Sequence, residues 1–357
     1  MGEMIATRAA YGEALREFGG REDIMVLDAD LSSCTMSCRF GERYPERFYN
    51  VGIAEANMVG IAAGLAAAGK NVFCHSFAMF TAGRAYDQIR NSVAYTGLNI
   101  KIVGSHGGLT AGEDGGTHQC IEDLSLMRTV PGMTVICPCD ANEAREAVRA
   151  LVEYKGPCYM RTGRIAVENI TPSYPDYHFE IGKGVLLRDG CDVTLIATGL
   201  MVQEAVRAAR LLEEDGISAR VIDMHTIKPL DEDLVVKAAA ETGAIVTAEN
   251  HNCYGGLGSA VAEVLAKKCP VPMEMAAVDD RFGHSGNALE LLKRYGLDAE
   301  QIAAKAKTAM VRAKAPGSGK VNCSDAPGSA QAGRAAGREA GHAAGPEAAQ
   351  ACPPTTD

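Results

Sequence analysis

The sequence predicts an α/β fold made of two doubly wound sheet domains, the first mostly parallel, followed by a disordered C-terminal tail. Short apolar segments typical of buried strands alternate with longer segments typical of helices, as in parallel sheets covered on both faces. A stretch containing Pro, Gly and Asp interrupts this alternation at residues 173–190. The predicted organisation is therefore a first domain over 1–172, a linker over 173–190, a second domain over 191–314 and a tail over 315–357.

Composition limits what this chain binds. It has 357 residues, a net charge of −10 and no long run of Lys or Arg, which argues against nucleic acid and anionic membranes as partners. The sequence contains no apolar stretch long enough to span a membrane and no signal peptide, which predicts a cytoplasmic protein. The tail after residue 315 has one Val and lacks Leu, Ile, Phe and Tyr, so it cannot bury a core.

The first domain begins with a helix, because apolar residues recur at helical spacing over Thr7–Phe18. Asp140 is a favourable N-cap and predicts another helix that ends near Gly156. A third long helix is predicted from Phe80 to Gly97. The predicted strands are Ile24–Asp30, a short buried strand within Phe48–Ile53, Asn71–Phe77, Asn99–His106, Met133–Cys139 and a strand within residues 157–164.

The second domain shows the same alternation without a readable sequence repeat. Its predicted strands are residues 192–199, 218–225, 244–250 and 272–278. Helices are predicted over residues 201–216 and 231–243, and a Gly-rich turn opens at Tyr254.

Polar residues follow the predicted strands of the first domain. Ligands of doubly wound sheets bind outside the carboxyl ends of the strands, so these residues should gather on one rim. They are Asp30–Thr35, Glu55, Phe77–Arg84, His106–His118 and Arg161.

Glu55 stands where a short strand is followed by a helix, amid apolar neighbours. On the residues alone, two interpretations stay open. The carboxylate complements the positive end of the helix dipole, or it takes part in chemistry at the rim. The helix behind it is rich in Ala and Gly, which allows another backbone to approach closely.

Glycines recur throughout residues 104–116. The stretch is neither a Walker loop nor a GxGxxG fingerprint, so it does not indicate a binding site for nucleotide phosphates. His106 and Asp114 lie on this stretch, and His118 lies two residues beyond it. Metal ligation and structural hydrogen bonding are alternatives for them, but substrate contact or proton transfer is favoured. For Phe77 and Phe80 the alternative is packing in the core.

More than one role is also open for the arginines near the rim. Arg84 and Arg90 are six residues apart on one predicted helix, roughly on opposite sides, so at most one faces the rim. Arg161 follows an apolar strand, and its alternative role is an ion pair.

Together, several segments resemble the transketolase family. They are FYNVGIAEANMVGIAAGLAAAG, SFAMFTAGRAYDQIR, GEDGGTHQCIEDLSLMRTVPGMTVICPCDANE, HTIKPLDEDL, AENH, GGLGSAVAE and DDRFGHSG. The resemblance covers residues 5–312 and is to the pyrimidine-binding and C-terminal domains, as found in the smaller (beta) subunit of split bacterial transketolases. It implies the thiamine-diphosphate-binding fold for the first domain.

The resemblance also implies roles for the rim residues. Glu55 matches the glutamate that hydrogen-bonds the aminopyrimidine ring of thiamine diphosphate. Phe80 matches the aromatic residue that stacks on this ring, and Phe77 and Arg84 lie beside it in the cofactor-binding set. His106 and His118 match residues that contact the sugar and shuttle protons, so the predicted catalytic residues are Glu55, His106 and His118. Asp114 would hold a substrate hydroxyl.

The outer rim departs from the family pattern. Arg8, Arg161 and Ser33 match its phosphate-binding residues. Cys34, however, stands where a phosphate-binding serine is expected, and Met36 where a lysine is frequent. The remaining arginines still favour phosphorylated sugars, while an unphosphorylated or differently substituted sugar stays an alternative.

The diphosphate-binding signature GDG…Asn is missing, so the chain is expected to bind only the pyrimidine half of the cofactor. The resemblance then implies a larger partner subunit that holds the diphosphate and most of the Mg²⁺ contacts, in an α₂β₂ assembly, and no metal ligands in this chain. The implied activity is transfer of a two-carbon ketol unit from a ketose to an aldose. Alternatives are a deoxyxylulose-phosphate synthase-like or 2-oxoacid dehydrogenase beta-type subunit, and a non-catalytic stabilising partner.

Overall fold

The computed structural model describes residues 2–315, so the predicted tail lies outside the described residues except for its first residue. Within these residues, two largely parallel α/β sheets confirm the predicted fold class. No helix in this part of the chain is long and apolar enough to cross a membrane.

The strands follow the predicted alternation closely. They are β1 (Met4–Ala6), β2 (Ile24–Asp28), β3 (Phe48–Asn50), β4 (Asn71–Phe77), β5 (Ile100–Ser105), β6 (Thr134–Ile136), β7 (Cys158–Thr162), β8 (Ala166–Glu168), β9 (Val185–Arg188), β10 (Val193–Ala197), β11 (Ala219–Asp223), β12 (Thr226–Lys228), β13 (Ile245–Asn252) and β14 (Met273–Val278).

The helices lie between these strands and at the end of the second domain. They are α1 (Thr7–Phe18), α2 (Ser32–Thr35), α3 (Cys38–Arg43), α4 (Glu55–Ala67), α5 (Tyr86–Gln88), α6 (Asp123–Thr129), α7 (Ala141–Glu153), α8 (Met201–Glu214), α9 (Glu232–Thr242), α10 (Leu257–Lys268), α11 (Ala288–Arg294) and α12 (Ala299–Ala313). Met79–Arg84 and Ile89–Ala94 are π-helical on either side of α5, and Pro45–Arg47, Leu109–Asp114 and Thr171–Ser173 form 3₁₀ turns.

The first sheet has the strand order β3-β2-β4-β5-β7-β6-β12, and all its neighbouring pairs are parallel except β6 with β12. The second sheet has the order β14-β13-β10-β11-β9, with β9 antiparallel to β11. The carboxyl ends of β2, β4, β5 and β7 are therefore neighbours on one edge, where the predicted rim residues follow.

Helices cover both faces of the first sheet. Successive residues of β2 show this, because strand side chains alternate between faces. Val26 packs in one core cluster with Tyr11 of α1, and Leu27 packs in another with Met58 and Ala62 of α4. Burial on both faces explains why β2 reads as an unbroken apolar run in the sequence.

Three short strands differ from the predictions. The predicted buried strand at residues 48–53 is the shorter β3, an edge strand with one neighbour, so Tyr49 is 47% exposed. Ile53 lies beyond the end of β3 and is 76% exposed. The predicted linker contains β9, which pairs with the second sheet. From the second domain, β12 crosses to pair with β6 of the first sheet. Strands of three or four residues leave too short a pattern to be read in a sequence. The domain boundaries stay a prediction.

As predicted, Asp140 is the N-cap of α7, and it also binds a residue outside this helix. Its carboxylate accepts hydrogen bonds from the backbone N–H of Glu143 and from both the N–H and hydroxyl of Thr171. Asp298 caps α12 through the N–H of Gln301 alone.

We therefore expect Asp140→Ala to lower the free energy of unfolding by roughly 2–3 kcal/mol and Asp298→Ala by about 1 kcal/mol. Urea denaturation measures both, and equal losses would contradict the added role of Asp140.

Candidate active site

Glu55 is the first residue of α4 and its side chain is only 1% exposed. Its Oε2 accepts a hydrogen bond from Arg84 Nη1 at 2.7 Å, and its Oε1 accepts one from Ser76 Oγ at 3.3 Å. The position at the helix start is compatible with the helix-dipole interpretation. The arginine partner shows in addition that the buried charge is compensated by a side chain, as a buried carboxylate requires.

An aromatic pair lies next to this carboxylate. Phe77 ends β4 and Phe80 lies in the π-helical segment that follows, with ring centroids 5.9 Å apart. Phe77 is buried, whereas Phe80 is half-buried and carries the Arg84 guanidinium 4.5 Å above its ring. Single π-helical turns recur at functional sites, and here the turn places Phe80 and Arg84 on the same side.

His106 follows β5 and is 3% exposed, with its ring stacked on Phe77 at 4.1 Å. Its backbone has a left-handed φ of 62°, and Ser105 Oγ lies 2.7 Å from its Nδ1. Burial, and after it the positive charges of Arg8 and Arg164, lower the pKa of His106 to about 3. The imidazole is therefore neutral near pH 7 and offers hydrogen bonds rather than a charge.

The glycine loop, residues 107–118, brings the remaining predicted residues to this cluster. His118 is half-buried and meets Phe80 and Phe77 edge-on at 5.3 and 6.1 Å. Asp114 is more exposed and lies farther out, with its carboxylate 3.9 Å from Arg164 Nη1. The structure thus gathers Glu55, Phe77, Phe80, Arg84, His106 and His118 in one place, with Asp114 at its edge.

The outer rim contains Arg8 of α1 and the short helix α2. Arg8 Nη1 donates to the Cys34 carbonyl at 2.7 Å, and its Nε donates to the Arg164 carbonyl at 3.3 Å. Ser33 is exposed on α2, and Met36 follows α2 with a left-handed φ of 66°. Arg8 is half-buried and Ser33 is exposed in this region.

Arg161 is not brought to the rim. It lies within β7 and is 5% exposed, with Nε 3.0 Å from the Asp123 carboxylate. Its Nη1 and Nη2 donate to the carbonyls of Asn250 and Cys120 at 2.9 Å each. All three nitrogens are thus directed at groups of the interior, which fits the ion-pair alternative.

Arg164, which was not among the residues predicted from the sequence, lies at the rim instead. It follows the end of β7 and pairs with Glu113 on the glycine loop at 3.1 Å. The signal was present, because residues just past the carboxyl end of a strand face the ligand side, and Arg164, unlike Arg161, lies beyond Thr162.

Comparison with known proteins places these features in a family. The family model "Transketolase, pyrimidine binding domain" matches residues 3–169, and "Transketolase, C-terminal domain" matches residues 182–302. A transketolase C-terminal section from Methanocaldococcus jannaschii is 50% identical over 298 residues, which cover 83% of this chain and 93% of that protein. A 6-deoxy-6-sulfo-D-fructose transketolase subunit from a Clostridium species is 47% identical, over 83% of this chain and 91% of that protein.

A solved structure is similar throughout. It is described as a split-gene transketolase in an inactive β4 tetramer, with a TM-score of 0.80 and 48% identity. The similarity covers 86% of this chain and 99% of that chain.

The low pKa of His106 predicts a pH dependence of stability. Between about pH 6.5, the ordinary histidine value, and pH 3 the unfolded chain binds a proton here that the folded chain does not. Stability should therefore fall with decreasing pH, and His106→Gln should reduce this slope by about 1.4 kcal/mol per pH unit below pH 6. Urea denaturation at several pH values measures the slope. The exposed His178, changed to Gln, is the control, and equal slopes for wild type and His106→Gln would refute the prediction.

Proposed function

The chain belongs to the transketolase family, and on this basis we propose that it is the catalytic subunit of a two-component transketolase. It would transfer a two-carbon ketol unit from a phosphorylated ketose to an aldose. The observation that carries the proposal is the convergence of Glu55, Phe80, His106 and His118 at the edge of one sheet. These are side chains that the family resemblance predicts for the cofactor and the sugar.

The residues present fit thiamine diphosphate, the cofactor that the family implies. Glu55 is buried, and Ser76 reaches its Oε1 through a long bond of 3.3 Å, so this oxygen can accept a further hydrogen bond. Phe80 offers a half-buried ring beside it. When bound, thiamine diphosphate supplies a nucleophilic carbon for bond cleavage next to a ketose carbonyl. Glu55 would hold a proton shared with the aminopyrimidine ring, and Phe80 would stack on that ring.

The histidines would act on the sugar. His106 is neutral and buried, so its N–H can donate a hydrogen bond to a carbonyl oxygen of the sugar. His118 meets the Phe77 and Phe80 rings edge-on and would act as its counterpart. Asp114 would hold a substrate hydroxyl.

The outer rim would bind the far end of the sugar. We assign this role to Arg8, Ser33 and, in place of Arg161, to Arg164. Two guanidinium groups favour an anionic end group, because arginine pairs with phosphate or sulfonate through two parallel N–H donors. Cys34 and Met36 offer no anion contact of comparable strength.

A partner subunit would complete the site. The missing GDG…Asn signature leaves the diphosphate and Mg²⁺ mainly to that subunit, and the similar structure described as an inactive β4 tetramer supports this need. We place the contact on the exposed face of α4, next to Glu55. There Ile61 is 39% exposed, and a Cβ on Gly60 or Gly64 would meet no described atom of the chain within 4 Å beyond its own helix turn. An α₂β₂ assembly is proposed.

The proposal predicts ketol transfer by the complex of this chain with a diphosphate-binding partner, thiamine diphosphate and Mg²⁺. Fructose 6-phosphate, 6-deoxy-6-sulfo-D-fructose and fructose form a donor series that differs only in the end group. We expect the two anionic donors to exceed fructose in kcat/KM by at least about tenfold, because Arg8 and Arg164 recognise the charge. Product sugars are measured by chromatography.

Variants in the same assay separate the roles. Glu55→Gln should lower kcat by about a hundredfold or more, since proton sharing with the cofactor is lost. The exposed Glu214→Gln on α8 is the matched control and should behave as wild type. If the wild-type complex binds the cofactor but converts none of the three donors, a non-catalytic role for this chain would instead be favoured. Full activity of Glu55→Gln would disprove the role of Glu55.

The α4 contact predicts a specific assembly defect. Gly64→Leu adds bulk to an open, exposed helix position. The chain should fold at least as stably, because leucine favours a helix more than glycine does, but bind the partner at least about tenfold more weakly. Ala304→Leu on the exposed side of α12 is the control and should leave assembly intact. Analytical ultracentrifugation measures the complex, and normal assembly of Gly64→Leu would exclude this face.

A further inference from the structure

The second domain contributes a loop that lies directly on the glycine loop. We call this segment, residues 281–287, the clamp loop. A Cβ on Gly115 would lie 2.5 Å from Ser285 Oγ, and one on Gly116 would lie 2.6 Å from the Gly283 carbonyl oxygen. The Gly283 carbonyl belongs to the backbone and cannot turn away as a side chain can, so this close approach requires glycine at position 116.

Gln119 connects the two loops by hydrogen bonds. Its side chain is 3% exposed, and its Nε2 donates to the Gly112 carbonyl at 2.9 Å and to the His284 carbonyl at 3.0 Å. One amide group thus holds the middle of the glycine loop against the clamp loop. Gln119 directly follows His118, so its anchoring also limits where that histidine can move.

Tyr295, just after α11, fixes the clamp loop in turn. Its hydroxyl donates to the Phe282 carbonyl at 2.8 Å. Since the hydroxyl has one proton, the contact with His284 Nδ1 at 2.9 Å must use the histidine as donor. Tyr295 is 7% exposed whereas the Phe282 side chain is 80% exposed, so the tyrosine and not the phenylalanine ring anchors the segment.

The beginning of the glycine loop is held by the same domain. Asn250 of β13 accepts a hydrogen bond from the Leu109 backbone through Oδ1 at 3.0 Å. The segment Leu109–Asp114 contains Gly112 at φ 70° and ψ −119°, a conformation that other residues rarely adopt. A loop with such a backbone needs external bonds to keep one shape, and residues of the second domain supply them.

We propose that the clamp loop, fixed by Tyr295 and joined through Gln119, is a positioning device for His118 and Asp114. Gln119 and Tyr295 are then positioning residues, because they act through the glycine loop and not on the sugar. The second domain would therefore set substrate binding as well as support the assembly. The expected change in KM rests on the proposed function, whereas the expected change in hydrogen exchange of the glycine loop does not.

Tyr295→Phe tests the device, because it removes both hydroxyl bonds and keeps the ring. Gln119→Met is a second variant that removes the amide link at similar volume. In the full-length chain we expect hydrogen exchange of the His118 and Gln119 amides to rise about tenfold in both variants, the loss of about one hydrogen bond's net stabilisation. In the complex, KM for the ketose donor should rise at least about fivefold while kcat changes less.

The exposed Tyr254→Phe is the matched control and should change neither exchange nor KM. Unchanged exchange over residues 107–119 in both variants would overturn the clamp. Raised exchange with unchanged KM would overturn positioning and leave a purely structural contact. Absence of ketol transfer in the wild-type complex would count against the proposed function alone, since hydrogen exchange reports on the clamp without turnover.

Discussion

The guanidinium of Arg161 lies between the two sheets and bonds to groups on both sides. It faces the Asp123 carboxylate of the first domain and donates to the Asn250 carbonyl of the second. Its third contact, the Cys120 carbonyl, also accepts from Gly108 at the start of the glycine loop. Removing one partner of a buried ion pair costs about 3–5 kcal/mol, because the other charge is left uncompensated. The geometry of the glycine loop therefore depends on a contact outside the site.

Charge is distributed in two zones around the candidate site. The inner zone is the cluster of Glu55, Phe77, Phe80, Arg84, His106 and His118. There the Glu55 carboxylate is paired with Arg84, and His106 is held neutral by burial. In the outer zone Arg164 faces the exposed carboxylates of Glu113 and Asp114, where solvent screens the charges. Arg8 donates to the backbone carbonyls of Cys34 and Arg164. A reaction at a carbonyl benefits from the dry inner zone, since hydrogen bonds are stronger there than in water. An anionic end group needs only the outer zone.

Local sequence signals located most elements and the inner zone. The strand Asn71–Phe77 and the helix Thr7–Phe18 lie at the predicted residues, because a long apolar run and a helical periodicity are strong local signals. The edge position of β3, the crossing of β12 and the strand β9 in the predicted linker depend on pairing between distant segments. Three-residue or four-residue patterns do not encode such pairing by themselves.

The sequence by itself determined the family, the sheet edge at which the site lies, and the presence there of Glu55, Phe80, His106 and His118. It did so because strand ends, glycine-rich turns and motif spacing are local properties of the chain. Only the tertiary structure decided which arginine reaches the rim, since Arg161 and Arg164 differ by which side of a strand end they occupy. It alone also placed residues 281–287 on the glycine loop. That contact joins segments more than 160 positions apart in the sequence, and its fit depends on packing between two sheets.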